Sequence, residues 1–311
     1  MGENMVLDQE LLEKFEQGLD TRFLDRSKIS ATLIGYGEIS AIFQIGDDRT
    51  TVYKRMPLFS DTAKAQQYAV MHRDYCDLLT GAGLTLPQSK TAVVTLPGRP
   101  VVLYIAQQKF SSHCVANKVI QTCDPQKAKW LIERIVNEMM KCWQYNKSSG
   151  PEFELALDGQ ISNWVLIENQ DKPLLYFIDT STPFIRRSGV EQLDPELLLQ
   201  SAPVFLRWLL RLFFVDDVMK RYYDPRQVLI DLVANLYKEQ LTDLVPMAVK
   251  TINDIIGPDI LPLKIADVEK YYREDKFIWT LFLALRRMDR WLTTKIFRKR
   301  YEFILPGKIH R

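Results

Sequence analysis

Residues 157–180 admit few folds. Leu157-Asp158-Gly159-Gln160-Ile161-Ser162-Asn163-Trp164-Val165-Leu166 reads as a loop, with an Asp and an Asn five positions apart, that runs into a short buried strand. A polar turn at 168–173 follows, and Leu174-Leu175-Tyr176-Phe177-Ile178-Asp179-Thr180 is a second strand that delivers another Asp at its end. Such a frame suits a divalent metal and an acid/base. Magnesium takes hard oxygen ligands and keeps several waters, so Asp179 and Asn163, completed by substrate phosphates, make a sufficient site. The remaining carboxylate, Asp158, is left to orient or deprotonate an acceptor hydroxyl. Taken alone, the stretch also fits an ordinary turn at Asp158-Gly159 and a strand-end cap at Asp179.

The chain around this frame is long enough for a real core. Its 311 residues are 47% hydrophobic and 26% charged, which fits one large or two modest soluble domains. Lys plus Arg number 41 against 39 for Asp plus Glu, so the formal charge of +2 gives no argument for a specific nucleic-acid partner. Cys76, Cys114, Cys123 and Cys142 form no CxxC pair, and the N-terminus lacks the basic start and apolar run of a signal peptide. A reducing, cytoplasmic compartment is expected. His113-Cys114 with Cys123 completes no zinc spacing, and Val6 stands where myristoylation expects Ser or Thr.

Residues 7–25 place Leu11, Leu12, Phe15 and Leu19 at helical spacing. Three strands then follow as a meander: two apolar runs flanking Gly35 and Gly37, a turn at Gly46-Asp47-Asp48, and a β-branched run at 51–56. Glycines at 35 and 37 let the backbone approach a phosphate without a Cβ in the way, and Lys54 on the third strand reaches the same phosphates as a point charge. A strand-turn-strand unit also uses glycine for its turn, and a lone strand lysine is commonly solvated. Residues 61–80 are predicted as a helix, 91–96 and 100–108 as two further strands with a turn at Pro97-Gly98. A helix over 124–145 has Asp124 as N-cap, Pro125 in its first turn, and Leu131, Ile135, Met139 and Trp143 on a core stripe.

In this order, a glycine loop, a strand Lys, Asp-x4-Asn and a strand-end Asp, the sequence resembles the protein-kinase-like superfamily, closest to its aminoglycoside phosphotransferase-like branch. The resemblance spans about residues 30–215. It implies an α+β fold with two lobes: a small antiparallel β-sheet lobe with one helix at 1–106, a hinge at 107–123, and a larger, mostly helical lobe at 124–311. It implies ATP and Mg2+ as cofactors, with Gly35, Gly37, Ser40 and Lys54 on the nucleotide, Gln107 and Gln108 at the adenine-binding hinge, Asn163 and Asp179 on magnesium, and Asp158 as catalytic residue. Kinases carry a helix Glu that pairs with the strand lysine. No Glu lies between Lys54 and the end of the next helix, and Asp74 is the substitute candidate, with Asp77 and Gln67 behind it. Two positions before Asp158, where the family has His to order the loop, this chain has Ala156; after Asp179 it reads Thr180-Ser181 and not Phe-Gly.

No activation segment ending in Ala-Pro-Glu appears, which favours a small-molecule acceptor over a protein. The resulting reading is ATP-dependent phosphoryl transfer to a hydroxyl. Its alternatives are a pseudokinase serving as a nucleotide-binding or protein-interaction module, and AMP transfer on the same fold. Farther on, 203–215 is the most apolar segment and is expected as a buried helix, short of a membrane span. Helices are expected at 225–240, 242–256 and 265–294. Arg286, Arg287, Arg290, Lys295, Arg298, Lys299 and Arg300, interleaved with Trp291 and Phe297, make a basic amphipathic tail, for which a solvated face is expected over membrane-surface contact.

Overall fold

The computed structural model describes residues 5–37, 40–150, 152–168, 172–199, 207 and 216–306. Helix α1 (Gln9–Gly18) is capped by Asp8, whose side chain accepts from the Leu11 amide. Strands β1 (Ala31–Tyr36), β2 (Ala41–Ile45) and β3 (Thr51–Phe59) form the expected meander, followed by α2 (Thr62–Gly81), β4 (Ser89–Val94) and β5 (Val101–Gln108). The sheet is antiparallel and five-stranded, in the order β1-β2-β3-β5-β4. Its β3 is buried along nearly its whole length because both faces are covered. On one face, Leu12 and Phe15 of α1, with Leu19 just after it, pack on Phe43, Tyr53, Tyr104 and Ala106; on the other, Ala65 and Tyr68 of α2 pack on Met56, Phe59, Leu103 and Ile105.

The remainder is mainly helical. The segment expected as a hinge carries α3 (Ala116–Thr122), and α4 (Pro125–Ser149) starts as predicted: Asp124 accepts from the Lys127 amide, while Pro125 loses no hydrogen bond in the first turn. Strand β6 (Phe153–Leu155) leads into the Asp158 loop, a single 3-10 turn covers Ile161–Asn163, and β7 (Trp164–Ile167) pairs antiparallel with β8 (Leu174–Phe177). A small sheet, β10-β9-β6, with β9 (Ile185–Arg187) and β10 (Val190–Glu191), was not legible from the alternation of so few residues. After α5 (Pro195–Leu199) come α6 (Asp216–Tyr223), α7 (Pro225–Lys238), α8 (Val245–Ile255) and α9 (Ile265–Trp291). The helix expected over 203–215 lies outside the described residues apart from Arg207.

Helices α4, α7 and α8 close one large core through Leu131, Ile135, Met139, Leu229, Leu232, Val233, Ala248 and Ile252, which also takes Trp164 and Phe177 from the β7–β8 hairpin. Helix α2 belongs to both halves: Tyr68 joins the sheet-side cluster, Tyr75 and Leu79 the helical one. One segment departs from the expected division. Residues 301–305, expected in the helical half, return to the β-sheet: Glu302 bonds to Arg55 of β3, Ile304 packs with the α1 cluster and Phe303 with the α2-side cluster, and Tyr301 and Leu305 are buried. Among the described residues, no helix is long and apolar enough to cross a membrane.

Candidate functional site

Strand pleating decides which side chains meet. Lys54 sits opposite Ile105, and Val52 opposite Gln107, across β3 and β5, so the period of two puts Lys54 and Gln107 on one face. That face looks toward the chain just after β8. Lys54 is only 4% exposed, and its Nζ donates to the Ile178 carbonyl at 2.9 Å and to Asp179 Oδ1 at 3.1 Å. Gln107 Nε2 donates to the same Ile178 carbonyl at 3.0 Å. A buried ammonium is tolerable only when paired, and Asp179 supplies the pair. Burial pushes the Asp179 carboxyl up, but Lys54 and the bonds from Ser181 outweigh it and hold the group below its ordinary value.

The Asp158 loop is folded onto itself and onto β8. The Gln160 amide donates to Asp158 Oδ1 at 3.1 Å, and Asn163 Nδ2 donates to the Asp158 carbonyl at 3.1 Å. The Ile178 amide donates to the Asn163 carbonyl at 2.9 Å. Residue 178 therefore links the parts: its N–H holds the Asn163 end of the loop, its C=O receives Lys54 and Gln107, and the next residue is Asp179. With its amide nitrogen engaged, Asn163 keeps its side-chain oxygen for another partner. Asp179 Oδ1 receives Lys54 and Ser181, the hydroxyl at 2.6 Å, and Oδ2 takes part in none of these bonds. Two hard oxygens thus remain on neighbouring segments, a donor set that fits magnesium.

Helix α2 supplies a function that sequence reasoning did not assign to it. Its buried stripe is Ala65, Tyr68, His72, Tyr75 and Leu79. Tyr68 donates to the Ser181 carbonyl at 2.7 Å, His72 Nε2 meets Thr180 Oγ1 at 3.1 Å, and Tyr75 donates to the Ala156 carbonyl at 2.7 Å. The Ala156 amide in turn donates to the Phe184 carbonyl at 3.1 Å. One helix face therefore pins both the Asp158 loop and the Asp179 segment. Burial and the nearby Lys54, against Asp179, push the His72 imidazole down to about 4, so it is neutral at pH 7. The available signal was the helical spacing of 65, 68, 72, 75 and 79, blurred because three of the five side chains have polar tips.

Asp74 does not pair with Lys54. It lies on the exposed side of α2, two residues and about 200° around the helix from His72. Asp77 is exposed too, and Gln67 lines a groove with Asp74 and Arg187 outside the Lys54 cluster. Gln107 points at Ile178, whereas Gln108 is exposed at the end of β5, where its amide donates to the Gln88 carbonyl at 2.9 Å. Gly37 and Ser40 lie in the β1–β2 connection, closed by the Gly37 amide donating to the Ser40 carbonyl at 2.9 Å, and Gly35 lies just before it near the end of β1. A β-bulge falls between Leu33 and Gly35, and a Cβ on Gly37 would lie 2.6 Å from Ser40 Oγ. Residues 38–39 of this loop lie outside the described residues. Ile42, two residues past Ser40, is directly opposite Lys54, which sets the glycine connection near the lysine along adjacent strands.

A family model described as "Family of unknown function (DUF6206)" matches residues 24–290. No curated protein matches the sequence. Among solved structures, one described as "WaaP in complex with acyl carrier protein" is similar at 13% sequence identity and a TM-score of 0.36, over 79% of this chain and 98% of that one.

Proposed function

The chain belongs to the DUF6206 family, a family of unknown function, and we propose that it is a two-lobed, kinase-like phosphotransferase using ATP and magnesium to phosphorylate a hydroxyl of a small molecule. The observation that carries the reading is the meeting of Lys54, Asn163 and Asp179 at residue 178, with Asp158 hydrogen-bonded to Asn163 through its carbonyl. In this reading Lys54 neutralises nucleotide phosphates, while the free oxygens of Asn163 and Asp179 hold magnesium. The ion, when bound, screens the phosphate charge that would otherwise repel an incoming oxygen. Asp158 orients the acceptor hydroxyl and takes its proton as the new P–O bond forms and the bond to the leaving ADP oxygen breaks. The sheet at 1–106 covers the nucleotide, 107–123 joins the halves, and 124–311 carries the Asp158 loop. Ala156 is compatible with this chemistry because Tyr68, His72 and Tyr75 order the same two segments from α2.

A second reading, a nucleotide-binding or interaction module that transfers nothing, is favoured by one observation: both acids of α2 are exposed, so none holds Lys54 away from Asp179. Thermal unfolding tests the nucleotide site. A ligand that binds only the folded state raises its Tm, and occupancy at a hundred times Kd stabilises by about 2.7 kcal/mol, a shift of several degrees. We expect such a shift with ATP plus magnesium in the wild type and its loss in Asp179→Asn. No shift at millimolar ATP would sink the transferase reading and the nucleotide-binding form of the module, leaving an interaction module that binds no nucleotide. Product mass after incubation with an acceptor panel then separates phosphoryl from adenylyl transfer, and binding without turnover supports the module.

A further inference from the structure

The C-terminal half of α9 carries an apolar face that the described residues leave partly exposed. Phe277 is 69% exposed, Trp291 55%, and Leu281 and Met288 more than 40%. Their spacing of four, seven and three residues places all four, with exposed Ala284 between them, on one side of the helix. The opposite side is committed to the interior, where Val268, Leu283 and Arg286 are buried and the Arg286 guanidinium stacks between the Phe282 and Phe303 rings. After Trp291 the chain makes a π-helical turn, Leu292–Ile296, and every residue from Lys295 to Arg300 is exposed, including Ile296 and Phe297 at 55% and 63%. Large apolar side chains exposed singly are ordinary; a contiguous group on one side of one element marks a surface that meets something apolar.

The charges around this face select the partner. Arg287, Lys295, Arg298, Lys299 and Arg300 are exposed along it and Arg290 is half-buried, against one half-buried acid, Asp289. Among the described residues, Arg300 pairs with Glu302 at 3.0 Å, and Arg287 reaches the Pro306 carbonyl at 3.5 Å. The patch is also held in place. Directly after it, the Tyr301 carbonyl accepts from Thr21 Oγ1 at 2.7 Å, and Glu302 is bound by Arg55 and Arg99 on the β-sheet. This is a fixed shoulder of the molecule.

We propose that this shoulder, Phe277 to Arg300, docks on an anionic lipid surface, with Phe277, Leu281, Met288, Trp291, Ile296 and Phe297 entering the interfacial layer and the basic rim meeting lipid headgroups. Aromatic and aliphatic residues on one face, bordered by Lys and Arg, match the chemistry of such a layer. A second copy fits less well, because a two-fold contact would bring two basic rims together. Nucleic acid satisfies the charges but leaves the apolar side chains without a partner. The inference goes beyond the proposed transfer reaction and does not depend on it.

Co-sedimentation of the full chain with lipid vesicles tests it. Vesicles of phosphatidylcholine containing about a third phosphatidylglycerol are expected to bind the protein roughly tenfold or more better than phosphatidylcholine alone, with binding weakening as salt rises. Trp291→Ser with Phe297→Ser, and separately Lys295→Glu with Lys299→Glu, are expected to abolish that binding while leaving the Tm in place, since all four positions are exposed. Equal binding to neutral vesicles, no binding to anionic ones, or wild-type binding by either double variant overturns the proposal. So does sedimentation equilibrium showing a dimer that Trp291→Ser with Phe297→Ser converts to monomer, because the face is then covered by a second copy.

Discussion

A methyl group on Gly159 would lie 2.6 Å from Met139 Cε and 2.8 Å from Val228 Cγ1, so the residue after Asp158 is glycine because α4 and α7 close around it. Gly159→Ala therefore forces a packed interface apart. We expect it to cost about 1–3 kcal/mol in a denaturant titration. The two faces of α2 give a sharper contrast. His72→Ala removes a buried partner of Thr180 and leaves a void, with an expected loss of about 1–3 kcal/mol and a smaller magnesium-ATP shift. Asp74→Ala, two residues away, is expected to stay within about 0.5 kcal/mol of wild type with its nucleotide response intact. The reverse order of effects would show that the helix is rotated from the orientation described. Residue type and distance from Lys54 single out Asp74 in the sequence, and neither quantity says which way a helix faces.

At the scale of elements, α1, β3 and the C-terminal segment are fastened by a buried charge cluster on the outer face of the sheet. Arg55 is 1% exposed and grips the fully buried Glu16 through Nε at 2.8 Å and Nη2 at 2.7 Å. Its Nη1 donates to the Glu302 carbonyl at 2.7 Å, Arg99 bonds to both glutamates, and Tyr104 donates to Glu16. Removing one member leaves an opposite charge buried without a partner, so Glu16→Ala is expected to cost about 3–5 kcal/mol, read from the denaturant midpoint. Burial raises the Glu16 carboxyl, but the bonds and charge of Arg55, with Tyr104 and Arg99, hold it down at about 2, against 4.5 for the ordinary group. A carboxyl depressed in the folded state stabilises fully above its unfolded value and progressively less as pH falls through the folded one. Stability should therefore decline between about pH 4.5 and 2, and Glu16→Gln should flatten that part of the profile.

For the whole molecule, the C-terminal segment makes the β-sheet half depend on the last residues of the described chain. Truncation after Arg300 removes Glu302 from Arg55 and Arg99, and Tyr301 from Thr21, with an expected drop in Tm of several degrees in a calorimetric scan. An unchanged Tm would mean that the segment is not fastened to the sheet. Most of the elements and their order follow from local sequence. Hydrophobic periodicity, caps such as Asp124 and turns such as Pro97-Gly98 are set within a few residues, so the meander, α2, α4 and the helices from 225 to 291 were legible. Local sequence also singles out Lys54, Asp158, Asn163 and Asp179, because their residue types and order are local facts. Packing alone brings Lys54 to Asp179, His72 to Thr180 and Glu302 to Arg55, and turns Asp74 away. Those pairings join residues more than a hundred positions apart. Local periodicity carries no information about such contacts, which are fixed by which faces the packed core turns toward one another.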